Sequence, residues 1–145
     1  MHAVDVNVLL AAVSTSHPHH ESARVTLEQL LAGAEPVGFP DVVLSGFLRL
    51  ATSRAVFPQP LNPDEAWAAI DAVTGSPAAR AFTPGPRHWG IFRGLCERYH
   101  LRGGDVTDAY LAAQAIEQHA TWVSFDLCFA RFRELTWLNP ADSDR

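Results

Sequence analysis

Ala3-Val4-Asp5-Val6-Asn7, at the amino terminus, decides how the rest of the chain is read. A short apolar run, His2 to Asp5, has the makings of a mostly buried strand, yet it ends on a carboxylate. A charge inside an apolar run needs a partner or an ion once it is buried. Two later stretches repeat the pattern: Gly103-Gly104-Asp105-Val106-Thr107-Asp108-Ala109 and Val123-Ser124-Phe125-Asp126. Each sets an Asp where a strand gives way to a turn or where a helix begins. In open α/β sheets such positions, at the carboxyl ends of parallel strands, are where sites gather.

The segments between these stretches alternate in period. Asn7 is expected to cap a short helix over Val8 to Val13, and His17-Pro18 to open a second, with Ala23, Leu27, Leu30 and Leu31 recurring before Gly33 ends it. Pro36 to Phe39 reads as a strand, followed by a helix capped by Asp41 and running through Phe47-Leu48-Arg49 toward Ser53. Asn62-Pro63-Asp64-Glu65 joins a cap, a first-turn proline and the Glu of a capping box, with Trp67, Ile70 and Val73 at helical spacing behind it. Ala79 to Thr83 is a weak strand. Helices are expected from about Arg87 to His100 and from Asp105 to His119, the second with small residues at Ala109 and Ala113. Ala120 to Ser124 is the next strand, Asp126 to Phe132 a short helix or turn, and Leu135 to Leu138 a last strand. The alternation predicts an α/β fold: a parallel sheet of four to five strands with right-handed crossovers and helices on both faces. Residues 1–139 form one domain on this reading, and 140–145 a polar tail that frays.

Bulk composition narrows the class. The 145 residues are 48% hydrophobic and 19% charged, the balance of a globular domain that needs no disulfide staples. Cys96 and Cys128 form no Cys-x-x-Cys pair, which points to thiols in a reducing compartment and away from zinc. The apolar start carries Asp5 and no basic leader, which argues against a signal peptide and for the cytoplasm. A net charge of −5 does not advertise a nucleic-acid binder, but all eleven basic residues are Arg. Arginine forks grip phosphate, so a few well-placed copies suffice; a GC-rich genome explains the bias equally well.

If the three acidic stretches lie side by side, Asp5, Asp108 and Asp126 converge, and like charges buried together need protons or a cation. Oxygen-only ligands select a hard ion such as Mg²⁺ or Mn²⁺, which points to metal-dependent chemistry on phosphate esters. A plainer account stands beside this one. Asp105 as an N-cap and Asp108 as a first-turn acid need no chemistry, and Asp126 serves equally as a turn residue. His17, His19 and His20 make a second cluster, but Pro18 interrupts it and a solvated helix start accounts for it. Arg49 is a candidate RNA contact or ion-pair partner. Trp67, Trp89, Trp122 and Trp137 read as core or interface residues rather than base-stacking platforms.

At these residues the sequence resembles a known family. Asp5-Val6-Asn7-Val8-Leu9-Leu10, Phe47-Leu48-Arg49-Leu50-Ala51-Thr52, Asp108-Ala109-Tyr110-Leu111-Ala112-Ala113, Ser124-Phe125-Asp126 with Phe129, and Trp137-Leu138-Asn139-Pro140 look like a VapC toxin. VapC toxins are PIN-domain ribonucleases of type II toxin–antitoxin pairs. The resemblance implies a three-layer PIN-like α/β/α fold, usually a homodimer, and hydrolysis of single-stranded or looped RNA by water activated with Mg²⁺ or Mn²⁺. It further implies Asp5, Asp108 and Asp126 as catalytic metal ligands, with Asn7 and Ser124 supporting them, and a small VapB-type antitoxin whose tail crosses the acidic groove.

Two departures thin the expected acid set. Many PIN domains carry a Glu in the helix that here reads Val42-Val43-Leu44-Ser45-Gly46-Phe47, and many carry an acid where this chain has Cys128. The alternative is therefore a PIN-like domain that binds RNA or a partner without cutting. A haloacid-dehalogenase-like phosphatase needs a second Asp at position 7 and is disfavoured by Asn7.

Overall fold

The computed structural model describes residues 1–144. Five strands, β1 (His2–Val4), β2 (Val37–Pro40), β3 (Ala79–Phe82), β4 (Thr121–Val123) and β5 (Trp137–Leu138), form a single sheet in the order β3-β2-β1-β4-β5. Every neighbouring pair is parallel. Six α-helices cover it: α1 (Val6–Val13), α2 (His20–Ala32), α3 (Asp41–Ala51), α4 (Pro63–Thr74), α5 (His88–Arg98) and α6 (Gly104–Glu117). This is the expected three-layer α/β/α arrangement. Among the described residues no helix is long and apolar enough to cross a membrane.

The central strands β1, β2 and β4 are largely buried on both faces, as parallel sheets require, whereas the edge strand β3 exposes Arg80 and Ala81. Ala3, Val4, Trp122 and Val123 are fully inaccessible and meet Val8, Phe47, Ala109 and Ala113 in one continuous core. α1 packs on α2 and α3, α3 on α4, and α5 on α6. α6 buries Ala109, Leu111, Ala112, Ala113 and Ala115, so small side chains let it seat deeply. Gln114 on α6 donates to the Phe82 carbonyl at 2.7 Å, tying the helix to the end of β3. At Gly38 any Cβ would strike the Phe82 ring, so β2 and β3 pack as they do only with glycine there.

The sheet order sets the site. The chain winds outward from β1 through β2 to β3, then returns to place β4 on the other side of β1. Winding reverses between β1 and β4, and the crevice outside their carboxyl ends is where such a fold accepts ligands. Val4 is paired with Val123 in the register, so Asp5 and Ser124 leave the sheet side by side.

Several boundaries depart from the sequence expectation, each for a local reason. Asp5, not Asn7, caps α1, accepting from the Val6 N–H at 2.7 Å, because the Asn7 amide is committed across the sheet. α2 starts at His20, and Pro18 lies in the preceding turn closed by His20 N–H on the His17 carbonyl. Asp41 is the first residue of α3, whose cap is Pro40. Gly103, with φ of 62°, caps α6, which frees Asp105 from that duty. Asn62 does cap α4: its side chain accepts from the Glu65 N–H at 2.8 Å, and its amide donates to the Glu65 carboxylate. Residues Pro140–Asp144 wind into a 3₁₀ turn against α2 with Pro140 buried; Arg145, the last residue of the expected tail, lies outside the described residues.

Candidate active site

Asp5 is 5% exposed, among the most buried ionisable side chains in the chain. Its position follows from β1 ending one residue earlier, and its N–H donates to the Val123 carbonyl at 3.0 Å. One carboxylate oxygen, Oδ1, caps α1, where the helix dipole favours negative charge. The other, Oδ2, accepts from Ser124 Oγ at 2.6 Å and from Asn7 Nδ2 at 3.2 Å.

Ser124 is fully buried, and its hydroxyl is used completely. It donates to Asp5 and accepts from Asn7 Nδ2 at 2.9 Å and from the Asp126 N–H at 3.1 Å, filling one donor and two lone pairs. Asn7 completes the bridge by accepting the Phe125 N–H at 3.2 Å on Oδ1. Trp137 on β5 donates its indole N–H to the Ser124 carbonyl at 3.0 Å. These bonds lock the turn after β4 onto the turn after β1, with Asn7 and Ser124 both donating to the Asp5 carboxylate.

Asp126 follows two residues later and is half-buried; its Oδ1 accepts from the Cys128 N–H at 2.8 Å and starts the 3₁₀ turn Leu127–Arg131. Asp108 lies in the first turns of α6, partly buried. The three carboxylates are within electrostatic reach of one another. Burial pushes Asp5 up from 3.8 to about 6; the bonds from Ser124 and Val6 oppose this, and the charges of Asp108 and Asp126 add to it. Asp108 is raised as well, first by burial and then by Asp126, with Arg131 pulling it down.

Arg131 is one of eleven arginines in the chain, and the sequence reading does not set it apart from the others. Its Nη2 donates to Asp108 Oδ2 at 3.2 Å and to Asp105 Oδ1 at 3.1 Å. The only signal available in the sequence was its place five residues after Asp126, one 3₁₀ turn away.

The carboxylates are near one another but individually engaged. Among the described residues no three His, Cys, Asp or Glu side chains stand close enough to make a ready-formed metal site. Asp126 is turned to its own helical turn and Asp108 to Arg131, while Asp5 is held by Ser124 and Asn7. The donor set still fits a hard divalent ion: it is all oxygen, it holds excess negative charge, and its deepest member is destabilised as an anion.

The remaining candidates lie outside this cluster. Arg49 sits in the last turn of α3, exposed, and enters no ion pair among the described residues. His17 and His20 turn to backbone partners, His17 Nδ1 accepting from the His19 N–H and His20 Nδ1 meeting the Ala11 carbonyl. His19 stacks on Phe125, ring centroids 4.6 Å apart, so the histidine cluster borders the site without forming a metal centre. Trp122 is core, whereas Trp67 and Trp89 are 54% and 69% exposed. A groove of about 510 Å³ lies at the far end of α1 from Asp5, between Ser14–Ser16 and Phe57–Leu61.

A switch-point crevice edged by three aspartates on a five-stranded parallel sheet is the architecture of a PIN domain, and the PIN domain family model matches residues 3–135. The chain is 48% identical over 142 residues to ribonuclease VapC43 of Mycobacterium tuberculosis strain H37Rv, covering 98% of this chain and 97% of that protein. It is 41% identical over 140 residues to ribonuclease VapC31 of the same strain, covering 97% and 99%. Among solved structures it resembles VapBC2 of Rickettsia felis bound to a promoter DNA fragment, with a TM-score of 0.68 at 21% identity over 95% of this chain and 97% of that one. The chain belongs to the VapC ribonuclease family of PIN domains.

Proposed function

We propose that this chain is the ribonuclease toxin of a VapBC-type pair, a divalent-metal-dependent endoribonuclease of the cytoplasm that uses Mg²⁺ or Mn²⁺. The observation that carries the reading is Asp5: a carboxylate 5% exposed, facing Asp108 and Asp126, and pushed to about 6. An acid kept so deeply beside two others is costly to folding unless a cation is its partner.

Asp5, Asp108 and Asp126 are the residues that would hold the ion. Bound there, a hard divalent ion supplies a Lewis acid for phosphate oxygens and lowers the pKa of water. The protein's own residues do the rest. Ser124 and Asn7 fix the Asp5 carboxylate by donating to its Oδ2, and the Val6 N–H holds its Oδ1. The helix dipole of α1 partly offsets the negative charge there. Because water is the nucleophile, the RNA 2′-OH is not consumed, and looped or single-stranded RNA is preferred through binding of exposed bases.

The acidic crevice also suits the basic segment of a VapB-type antitoxin, by charge complementarity. Exposed Trp67 and Trp89, on α4 and α5, are the faces offered for a homodimer.

The reading is tested by incubating total RNA with antitoxin-free protein in Mg²⁺ or Mn²⁺, then with EDTA, beside Asp108→Asn. Discrete fragments that need the ion and vanish in the variant are expected. Folded protein that cuts nothing with either ion would instead support the binding-only alternative.

A further inference from the structure

Arg131 sits among these acids in a way that the hydrolytic scheme leaves unused. It closes the 3₁₀ turn Leu127–Arg131, and its guanidinium lies 5.1 Å from the Phe132 ring. A single nitrogen, Nη2, serves both Asp105 and Asp108. Nε is buried without a partner among the described residues, and Nη1 makes no hydrogen bond there. A guanidinium has five N–H groups, so most of this fork is unspent although it stands at the edge of the carboxylate cluster.

Its two partners differ. The Asp108 side chain is 22% exposed and belongs to the proposed ion-binding set, while that of Asp105 is 50% exposed and lies one helical turn before it. An ion on Asp108 neutralises the charge that holds the arginine and repels its guanidinium, which weakens that pairing. Asp105 still holds Nη2, and the unspent N–H groups would then be available to a phosphodiester at the site. The fork of arginine matches two non-bridging phosphate oxygens.

We infer that Arg131 is a catalytic residue parked on Asp108, which ion binding releases to grip the scissile phosphate while Asp105 retains it at the site. The inference rests on the proposed ribonuclease reading. It makes the arginine a competitor of the ion in the free protein and a partner of the ion on substrate.

The test separates those two roles. Mn²⁺ binding is measured without RNA, by the electron paramagnetic resonance of free Mn²⁺, for the parent, Arg131→Gln and Arg131→Lys. Arg131→Gln is expected to bind Mn²⁺ about 3- to 10-fold more tightly, because the competing charge is gone, and Arg131→Lys within about twofold of the parent. Cleavage of RNA at saturating Mn²⁺ is expected to fall by about 30-fold or more in kcat for both variants. Added guanidinium should restore part of the loss in Arg131→Ala, and tetramethylammonium none. Unchanged or weaker Mn²⁺ binding in a folded Arg131→Gln protein overturns the inference, as does undiminished cleavage. If the parent itself binds no Mn²⁺ and cuts nothing, the ribonuclease reading has failed first; if the parent binds and cuts but Arg131→Gln does not tighten, only this inference falls.

Discussion

Two buried carboxylates, Asp5 and Glu117, are nearly equal in exposure, at 5% and 7%, and opposite in character. Glu117, at the end of α6, accepts the N–H groups of Gly85 and Arg87, each at 2.8 Å, and the Arg87 side chain donates to its backbone carbonyl. Burial alone would raise it, but those N–H bonds, with the nearby His88 and Arg87 charges, outweigh burial and hold it below the usual range. Asp5 also has its bonds, yet burial outweighs them, the charges of two further carboxylates add to it, and the acid is raised to about 6. The balance between burial and the bonds that answer it separates the two acids: the N–H groups around Glu117 outweigh its burial, and the donors around Asp5 do not.

The largest effect that tests this contrast is on chemistry. Asp108→Asn removes one carboxylate from the cluster at almost no change in volume, and cleavage of RNA is expected to fall at least 100-fold with the melting temperature little changed. A variant that cuts within tenfold of the parent would mean that the neighbours of Asp5 are not part of a working site. Glu117→Ala tests the other acid. It strands the N–H groups of Gly85 and Arg87 and is expected to cost about 3 kcal/mol of stability by chemical denaturation, with cleavage by the folded fraction preserved. Loss of cleavage without loss of stability would reverse the assignment.

The difference between these two acids was only half legible in the sequence. Asp5, set in an apolar run before a helix, announces its burial, and the α/β alternation announces that strand ends converge. The fold followed from that period, and so did the nearness of Asp108 and Asp126. Helix starts were less legible, because Asp5, Asn7, Asp41 and Asp105 are all good caps: the cross-sheet bonds of Asn7 leave α1 to Asp5, while Pro40 and Gly103 cap α3 and α6. Arg131 was hidden because a pairing across 23 residues with Asp108 has no local pattern. Glu117 was silent for the same reason: its partners lie in the Pro84–Arg87 turn, some 30 residues earlier.

The raised titration of Asp5 has a sign that can be checked in the metal-free protein. Its native value near 6 lies above the unfolded 3.8, so between these pH values the native state keeps a proton that the unfolded chain has lost. Stability contributed by Asp5 is therefore greatest below pH 4 and declines as pH rises to about 6, by roughly 2 kcal/mol in EDTA. Asp5→Asn should flatten that decline and be about 1 kcal/mol more stable than the parent at pH 7.5, an advantage that disappears at pH 4.5. Millimolar Mn²⁺ should restore the parent and leave the variant unmoved. A parent whose stability rises from pH 4 to 6, after the same profile of Asp5→Asn is subtracted, would place Asp5 with Glu117.

The smallest change sharpens the comparison most, because it alters the surroundings of Asp5 without touching any carboxylate. Ser124 gives Asp5 its shortest side-chain bond, 2.6 Å, and that bond favours the anion. Ser124→Ala removes the donor and leaves Asn7 Nδ2 still able to reach Asp5, so the stability cost at pH 4.5 should be modest, about 1 kcal/mol. The Asp5 carboxyl resonance, followed by NMR in EDTA, should then titrate higher than in the parent. Asp5 is raised because its hydrogen bonds do not offset its burial; taking one bond away widens that shortfall, and the metal-free protein should lose more stability toward neutral pH than the parent does. A titration that moves down instead would mean that Ser124 holds the neutral acid, and that the turn after β4 was built to keep Asp5 protonated rather than ready for an ion.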